Sequence, residues 1–319
     1  MLGTGSFALP TFLALHQTAH QIVGLLTQPD RMGRGHHHHR NVMKQAALQR
    51  NIPVIQPENV NAGEVLETLN SLSTHLFVVA AYGQIFTKKF LEIPELGTIN
   101  LHASLLPKYR GASPVQHAIL NGETETGITI FQVESKLDTG PILAVEKTTI
   151  GRRETAGELE ERLAAIAVPL TLKIIAQLEA GTSQPVSQLS EVVTSARRLK
   201  KSDGGIDWRK SAQKIDCHVR AMQPWPKAFT YLCRSDQSTM RLIVLDVEPV
   251  DMNSDGNDAN AEVGSVLVAD GKRLIVRTGS GLAEITRLQP DGKRALKTSE
   301  FLQGYTVRSG DRMSHDVGG

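Results

Sequence analysis

Asn100 and His102 stand two residues apart in the stretch T-I-N-L-H-A-S-L-L-P-K-Y-R-G that runs from Thr98 to Gly111. Thr98 to Leu101 read as the end of a buried strand. Alternate residues of a strand share a face, so Asn100 and His102 project together and Leu101 points the other way. An amide donor beside an imidazole can stabilise an oxyanion and move a proton. Asp138 is the third candidate. It follows a second apolar run, Gly127 to Val133, and lies within L-D-T-G at Leu137 to Gly140. Each group also has an ordinary structural reading: an N-x-H pair as satisfied polar groups, an aspartate before a glycine as a turn cap. Three complementary polar groups at strand ends carry more weight than any one of them. S-L-L-P-K-Y-R-G reads as a loop, because proline and glycine interrupt regular structure. Loops at the C-terminal ends of strands are where open α/β sheets bind ligands.

The elements that must position these groups follow from periodicity. Ile22 to Leu26, Leu76 to Ala80 and the run ending at Asn100 are strand candidates. Asn41 to Arg50, Gly63 to Ser71 and Pro114 to Leu120 are helix candidates. Their alternation argues a parallel sheet with crossover helices. Thr155 to Glu179 has apolar residues at helical spacing and reads as a long helix closing the first domain. Thr182 to Ser202 reads as a linker, and Ser211 to Met222 as helical. Five short strands follow, at Ala228 to Cys233, Arg241 to Val247, Gly264 to Ala269, Arg273 to Thr278 and Leu282 to Leu288. They suggest a small barrel of the kind oligonucleotide-binding folds use. The expected fold class is α/β: a Rossmann-like parallel-sheet domain, then a small C-terminal OB-like β-barrel. The expected division is a catalytic domain at 1–181 with a truncated first strand, a basic linker at 182–206, the barrel at 207–313 and a disordered tail at 314–319. The polar stretch 251–260 reads as a mobile loop.

With 319 residues the chain is long enough for two domains with full cores. It has no apolar run long enough to span a bilayer and no signal peptide. Its two cysteines, Cys217 and Cys233, read as free thiols of a cytoplasmic enzyme. The formal net charge of +2 hides an asymmetry. From Ser195 to Leu245 there are eleven Lys and Arg against four Asp, a net +7, which leaves −5 elsewhere. A basic band on a neutral-to-acidic body fits either a polyanion partner or a solvated face. His36 to His39 read as native loop. As adjacent residues in a loop they make a poor preformed metal site, so no metal is expected. Gly3-Thr4-Gly5-Ser6-Phe7-Ala8 matches G-x-G-x-x-A, so a nicotinamide-dependent oxidoreductase is an alternative class. Only Met1 and Leu2 precede that turn, which is little strand for a fingerprint that must follow one. A third class is a non-catalytic RNA-binding protein built around the barrel, which leaves Asn100, His102 and Asp138 without a purpose.

N-L-H-A-S-L-L-P-K-Y-R-G-A-S-P and L-D-T-G resemble the catalytic segments of the 10-formyltetrahydrofolate-dependent formyltransferases. T-Q-P-D-R at Thr27 to Arg31, A-Y-G-Q at Ala81 to Gln84 and D-G-G-I-D-W at Asp203 to Trp208 narrow the resemblance to the methionyl-tRNA formyltransferases. So do Pro224-Trp225-Pro226 and Q-P-D-G-K-R at Gln289 to Arg294. The resemblance covers nearly the whole chain. It implies formyl transfer from 10-formyltetrahydrofolate to the amino group of methionyl-initiator tRNA, for translation initiation, by a monomer without a metal. Asn100 and His102 would then bind the oxyanion, and Asp138 would orient His102 and help remove the amine proton. Which of His102 and Asp138 is the general base stays open. Ser104, Leu105, Leu106 and Pro107 would line the folate site, with Tyr82, Gly83, Gln84, Thr139 and Gly140 at the pterin. Arg34, in G-R-G at Gly33 to Gly35, and Arg197, Arg198, Lys200 and Lys201 would contact tRNA. The resemblance also implies a start several residues upstream. It further implies that His36 to His39, in place of lysine-rich residues, make acceptor affinity rise as pH falls toward about 6.5. A formyl hydrolase or a sugar-nucleotide formyltransferase are the neighbouring activities.

Overall fold

A computed structural model describes residues 1–30, 41–189, 192–250 and 261–316. These residues fold into two compact units. The first comprises residues 1–115, 125–150 and 158–198, and the second residues 116–124, 151–157 and 199–319. Arg34, His36 to His39, the stretch 251–260 and the last three residues of the tail lie outside the described residues.

The first unit is built on a seven-stranded sheet. Its strands are β1 (Leu2–Gly3), β2 (Leu25–Leu26), β3 (Val54–Ile55), β4 (Phe77–Ala80), β5 (Thr98–His102), β7 (Glu125–Gln132) and β8 (Ile142–Thr149), in the order β3-β2-β1-β4-β5-β7-β8. A further short strand, β6 (Arg110–Gly111), lies off this sheet. The first five sheet strands are parallel. β7 and β8 run antiparallel, which the expected all-parallel arrangement omitted. Helices α1 (Leu9–His16), α2 (Val42–Leu48), α3 (Gly63–Ser71), α4 (Lys88–Leu91) and α5 (Pro114–Asn121) connect them, and α6 (Ala156–Glu179) follows. β4 reads F-V-V-A and is buried at every position, as suits a central strand covered on both faces. α2 starts where the Asn41 side chain accepts the Lys44 N–H, an N-cap. α3 buries Val65 and Leu69, one turn apart, on its apolar stripe.

β1 is short, but it holds the central place, with Leu2 opposite Leu26 and Val79. Parts of the segment read as a basic linker pair with the first unit's strands. Val186 bridges Ile142, and Ser195–Ala196 form β9, parallel to β6.

The second unit contains α7 (Ala212–Ala221) and a β-sheet of strands β10 (Ala228–Cys233), β11 (Thr239–Val250), β12 (Val266–Ala269), β13 (Leu274–Arg277), β14 (Leu282–Pro290) and β16 (Arg312–Ser314). The order is β12-β13-β14-β11-β10-β16, with β15 (Leu296–Lys297) on β14. β10 alternates buried and half-buried residues, the pattern of a barrel wall with a core on one face only. The ends meet. Gly264 and Val266 at the start of β12 exchange backbone hydrogen bonds with the chain at Gly310 to Met313, and the sheet curls into a near-closed barrel. α8 (Thr298–Gly304) follows β15. The five expected strands are present, and β15, β16 and α8 are additions. Cys217 and Cys233 are both free.

Candidate active site

β5 carries Asn100 and His102 on one face, between Val79 and Ala80 of β4 and Phe131 to Thr129 of β7. His102 is 5% exposed and its ring meets Phe131 edge-on, with centroids 6.3 Å apart. Its Nε2 lies 2.9 Å from the Tyr109 carbonyl oxygen. A carbonyl can only accept, so Nε2 carries the hydrogen and donates it. That leaves Nδ1 as the ring nitrogen that can take up or release a proton. Nδ1 is 4.0 Å from Oδ2 of Asp138. This is beyond hydrogen-bond length, so the carboxylate acts on the ring through charge rather than through a bond. Asp138 is 9% exposed. Asn100 is half-buried, and its side-chain amide makes no hydrogen bond among the described residues.

Asp138 is held in place from several directions. Its Oδ2 accepts the Gly111 N–H at 2.8 Å. Its backbone is in the left-handed region, φ 52°, as is that of Tyr109 at φ 61°. Such conformations persist only where surrounding bonds enforce them. Gln188, fifty residues away, supplies those bonds: its Nε2 donates to the carbonyls of Asp138 (3.0 Å) and Gly140 (2.8 Å), and its Oε1 accepts from Arg110 at 2.6 Å. Gly140 permits the close approach of this loop to β7, since a Cβ there would lie 1.7 Å from the Gln132 carbonyl oxygen. Gly111, at φ 123°, is required in the same way: a Cβ would stand 2.5 Å from the Ala196 carbonyl oxygen. Thr194 accepts the Tyr109 N–H at 2.8 Å and so steadies the carbonyl that orients His102. Gln188 and Thr194 have no local motif, and neither was identified from sequence.

The expected folate residues lie in two loops. The Ser104 hydroxyl is buried and donates to the Lys108 carbonyl at 2.7 Å, and its own carbonyl accepts from Thr129. Leu106 is buried and donates its N–H to Thr129, while Leu105 and Pro107 are half-buried. At the end of β4, the Tyr82 ring belongs to the apolar core, stacked on Phe86, and burial pushes its hydroxyl pKa up to about 12. Gly83 is exposed at φ 83°. The Gln84 side chain is taken up by Val60 N–H and the Pro57 carbonyl. Thr139 donates to the Lys136 carbonyl. The polar side chains of Ser104 and Gln84 are therefore occupied within the protein. The glycine turn after β1 adjoins this region: the Thr4 hydroxyl accepts the Gln28 N–H, and Gln28 Nε2 donates to the Tyr82 carbonyl.

Arg197, Arg198, Lys200 and Lys201 are all exposed. Arg198 differs from the others in reach. Its Nη2 comes within 3.7 Å of where a Cβ on Gly83 would be, beside the β4 turn.

The buried His102 imidazole and the half-buried Asn100 amide on β5, with the Asp138 carboxylate from the loop between β7 and β8, are groups that can stabilise an oxyanion and move a proton. A formyl transferase family model matches residues 1–175, and a formyl transferase C-terminal domain model matches residues 198–306. The chain belongs to the formyl transferase family. Its relatives include proteins named methionyl-tRNA formyltransferase. The one from Parvibaculum lavamentivorans is 38% identical over 98% of both chains. That from Thermodesulfovibrio yellowstonii is 39% identical, over 97% of this chain and 96% of the relative. Among solved structures, the sugar 3N-formyl transferase WlaRD superposes with a TM-score of 0.64 at 18% identity, covering 92% of this chain and 97% of that one. HypX from Aquifex aeolicus, solved with tetrahydrofolic acid, gives 0.58 at 16% identity, covering 91% of this chain and 51% of that one. These likenesses concern the fold. The nicotinamide-dependent alternative suggested by the glycine turn is set aside by the family assignment.

No helix among the described residues is long and apolar enough to cross a membrane.

Proposed function

We infer that the protein transfers the formyl group of 10-formyltetrahydrofolate to the free amino group of methionyl-initiator tRNA. The observation that carries this reading is identity to proteins named methionyl-tRNA formyltransferase that runs through both units, over 98% of the chain. The site suits the reaction. The amine nitrogen attacks the formyl carbon, forming a C–N bond and a tetrahedral intermediate with a negative oxygen. The free Asn100 amide donates to that oxygen. Neutral His102 takes the amine proton at Nδ1, its other nitrogen being spent on Tyr109. The Asp138 carboxylate, 4.0 Å away, stabilises the imidazolium that forms. The C–N bond to the folate N10 then breaks and the proton passes to that nitrogen. His102 is thus the general base and Asp138 its electrostatic partner.

The folate contacts fall to the backbone and apolar groups of the two loops. Ser104 and Gln84 act through backbone groups of their loops, with Leu105, Leu106 and Pro107 giving an apolar wall. Tyr82, Gly83, Thr139 and Gly140 complete the site through the backbone. Arg197, Arg198, Lys200 and Lys201 approach the RNA phosphates, and Arg34 joins them. Functionally the chain divides into a formyl-transfer domain at 1–181, a basic linker at 182–206, an RNA-binding barrel at 207–313 and a short tail. We place it in the cytoplasm, acting as a monomer.

The test offers purified protein a labelled 10-formyltetrahydrofolate with methionyl-initiator tRNA, a dTDP-amino sugar, or no acceptor. Label on the methionyl-tRNA supports the reading. Label on the sugar, or release as formate alone, overturns it.

A further inference from the structure

His102 and Asp138 are placed by Tyr109 and Gly111. The Tyr109 carbonyl accepts from His102 Nε2, and the Gly111 N–H donates to Asp138 Oδ2. Neither residue has a backbone that holds itself. Tyr109 is at φ 61° and Gly111 at φ 123°, where neighbouring bonds must enforce the conformation. Those bonds come from residues 194–196. The Tyr109 N–H donates to the Thr194 hydroxyl at 2.8 Å, and the Arg110 N–H to the Thr194 carbonyl at 2.9 Å. The Ser113 N–H donates to the Ala196 carbonyl at 3.2 Å.

The pairing that carries these bonds is small. β6 and β9 form a two-stranded sheet of their own, with Arg110 opposite Ser195 and Gly111 opposite Ala196. A ladder of two strands with no third is marginally stable in water. Ala196 is buried, but Thr194, Ser195, Arg197 and Arg198 are exposed, so little apolar contact supports the bonds. Elements of this kind open while the rest of a fold stays intact. Opening β9 from β6 removes the bonds that fix the Tyr109 carbonyl and the Gly111 N–H, and so loosens His102 and Asp138 together.

The chain runs from β9 directly into Arg197 and Arg198. A phosphate held by these two cations restrains the C-terminal end of β9. A ligand that favours the ordered form of a segment raises the population of that form. Arg198 gives the segment a second tie, since its Nη2 comes within 3.7 Å of where a Cβ on Gly83 would be, at the turn after β4. We propose, on the reading that the acceptor is a tRNA, that β9 is a strap and Thr194 a positioning residue. Acceptor bound at Arg197 and Arg198 closes β9 on β6, and the Thr194 hydroxyl passes that closure to Tyr109 and His102. The donor with water or a small amine leaves the strap unrestrained, so the site reaches full rate only when its polyanionic acceptor is in place.

The test measures formylation by the full-length protein with two saturating acceptors. One is methionyl-initiator tRNA, and the other is the methionyl ester of adenosine, which has no phosphate to offer Arg197 and Arg198. The parent is expected to turn over the tRNA about tenfold faster than the ester. In Thr194→Val, which keeps the branched shape and loses the hydroxyl, the two rates converge, and Thr194→Ser restores their ratio. A merely structural Thr194 would lower both rates by one factor and keep the ratio. Amide hydrogen exchange follows the same closure without chemistry. Initiator tRNA trimmed of its single-stranded acceptor end should slow exchange at Tyr109 and Arg110 in the parent and in Thr194→Ser. In Thr194→Val it should leave Tyr109 unaffected, while exchange in β4 at the parent rate shows that the variant is folded. Equal rates for the two acceptors in the parent, a ratio unchanged in Thr194→Val, or Tyr109 exchange indifferent to tRNA in the parent overturns the proposal. A parent that neither binds nor formylates methionyl-tRNA removes the functional reading instead, and is told apart because the parent itself fails.

Discussion

The site and the basic segment use polar residues in opposite ways. In the first, a few groups are buried and held in one geometry: His102 on the Tyr109 carbonyl, Asp138 on the Gly111 N–H, with its loop clamped by Gln188. The candidate RNA-binding groups Arg197, Arg198, Lys200 and Lys201, by contrast, are all exposed cations. Chemistry at a single carbon needs groups placed to a fraction of an ångström, so side chains there must be buried and bonded. Attraction of a polyanion acts over a Debye length of about 10 Å and tolerates mobile side chains. Changes at the site should therefore alter turnover, and changes to exposed cations should alter acceptor affinity and its salt dependence.

The comparison is tested most severely at the site. His102→Ala, Asn100→Ala and Asp138→Ala should each lower the rate of formyl transfer by roughly a hundredfold or more, with tRNA affinity little changed. Steady-state formylation checks this, and any variant near the parent rate has been given the wrong role. Gln188→Ala is the sharper test, because Gln188 bonds the backbone of the Asp138 loop and the Arg110 side chain rather than His102 or the Asp138 carboxylate. Losing its bonds to the Asp138 and Gly140 carbonyls should lower kcat by about tenfold to a hundredfold while leaving the salt slope for tRNA intact. An unchanged kcat would mean that the strained loop is held without it.

A smaller effect is expected at the exposed cations. Neutralising Arg197, Lys200 and Lys201 together should weaken tRNA binding and flatten its salt dependence, with donor affinity unaltered. Equal affinity and slope would reduce the cluster to a solubilising role. Arg198 offers a finer division. Because it reaches the Gly83 turn, Arg198→Gln alone should raise the KM for tRNA more than Arg197→Gln does.

The smallest effect concerns stability. His218 lies in α7 with Nε2 3.3 Å from the Gly204 carbonyl, and burial lowers its pKa below the usual value near 6.5. Above 6.5 the ring is neutral in both folded and unfolded chains and costs nothing. Below it the unfolded chain takes up a proton that the folded chain resists, so stability falls as pH drops toward the lowered folded value. Melting of the protein at pH 7 and pH 5 should show a loss of stability that His218→Asn reduces. An identical pH dependence in the variant would remove His218 as the cause.

Much of this was legible in the chain. A two-residue spacing on an apolar strand is enough to put Asn100 and His102 on one face, because side-chain alternation is a local property of extended backbone. The helix at Gly63–Ser71 and the strand at Ala228–Cys233 lie where periodicity puts them, since each pattern spans its whole element. Two-residue strands such as β1 and β3 are too short to carry a pattern, and exist only because neighbours complete their ladders. The antiparallel direction of β7 depends on pairing partners, which periodicity does not record. The sequence by itself determined which residue types could do the chemistry and which elements hold them. Tertiary structure alone decided which histidine nitrogen is free, because that depends on the Tyr109 carbonyl seven residues away. It also decided what clamps Asp138, because Gln188 is brought to that loop by chain folding rather than by any local motif.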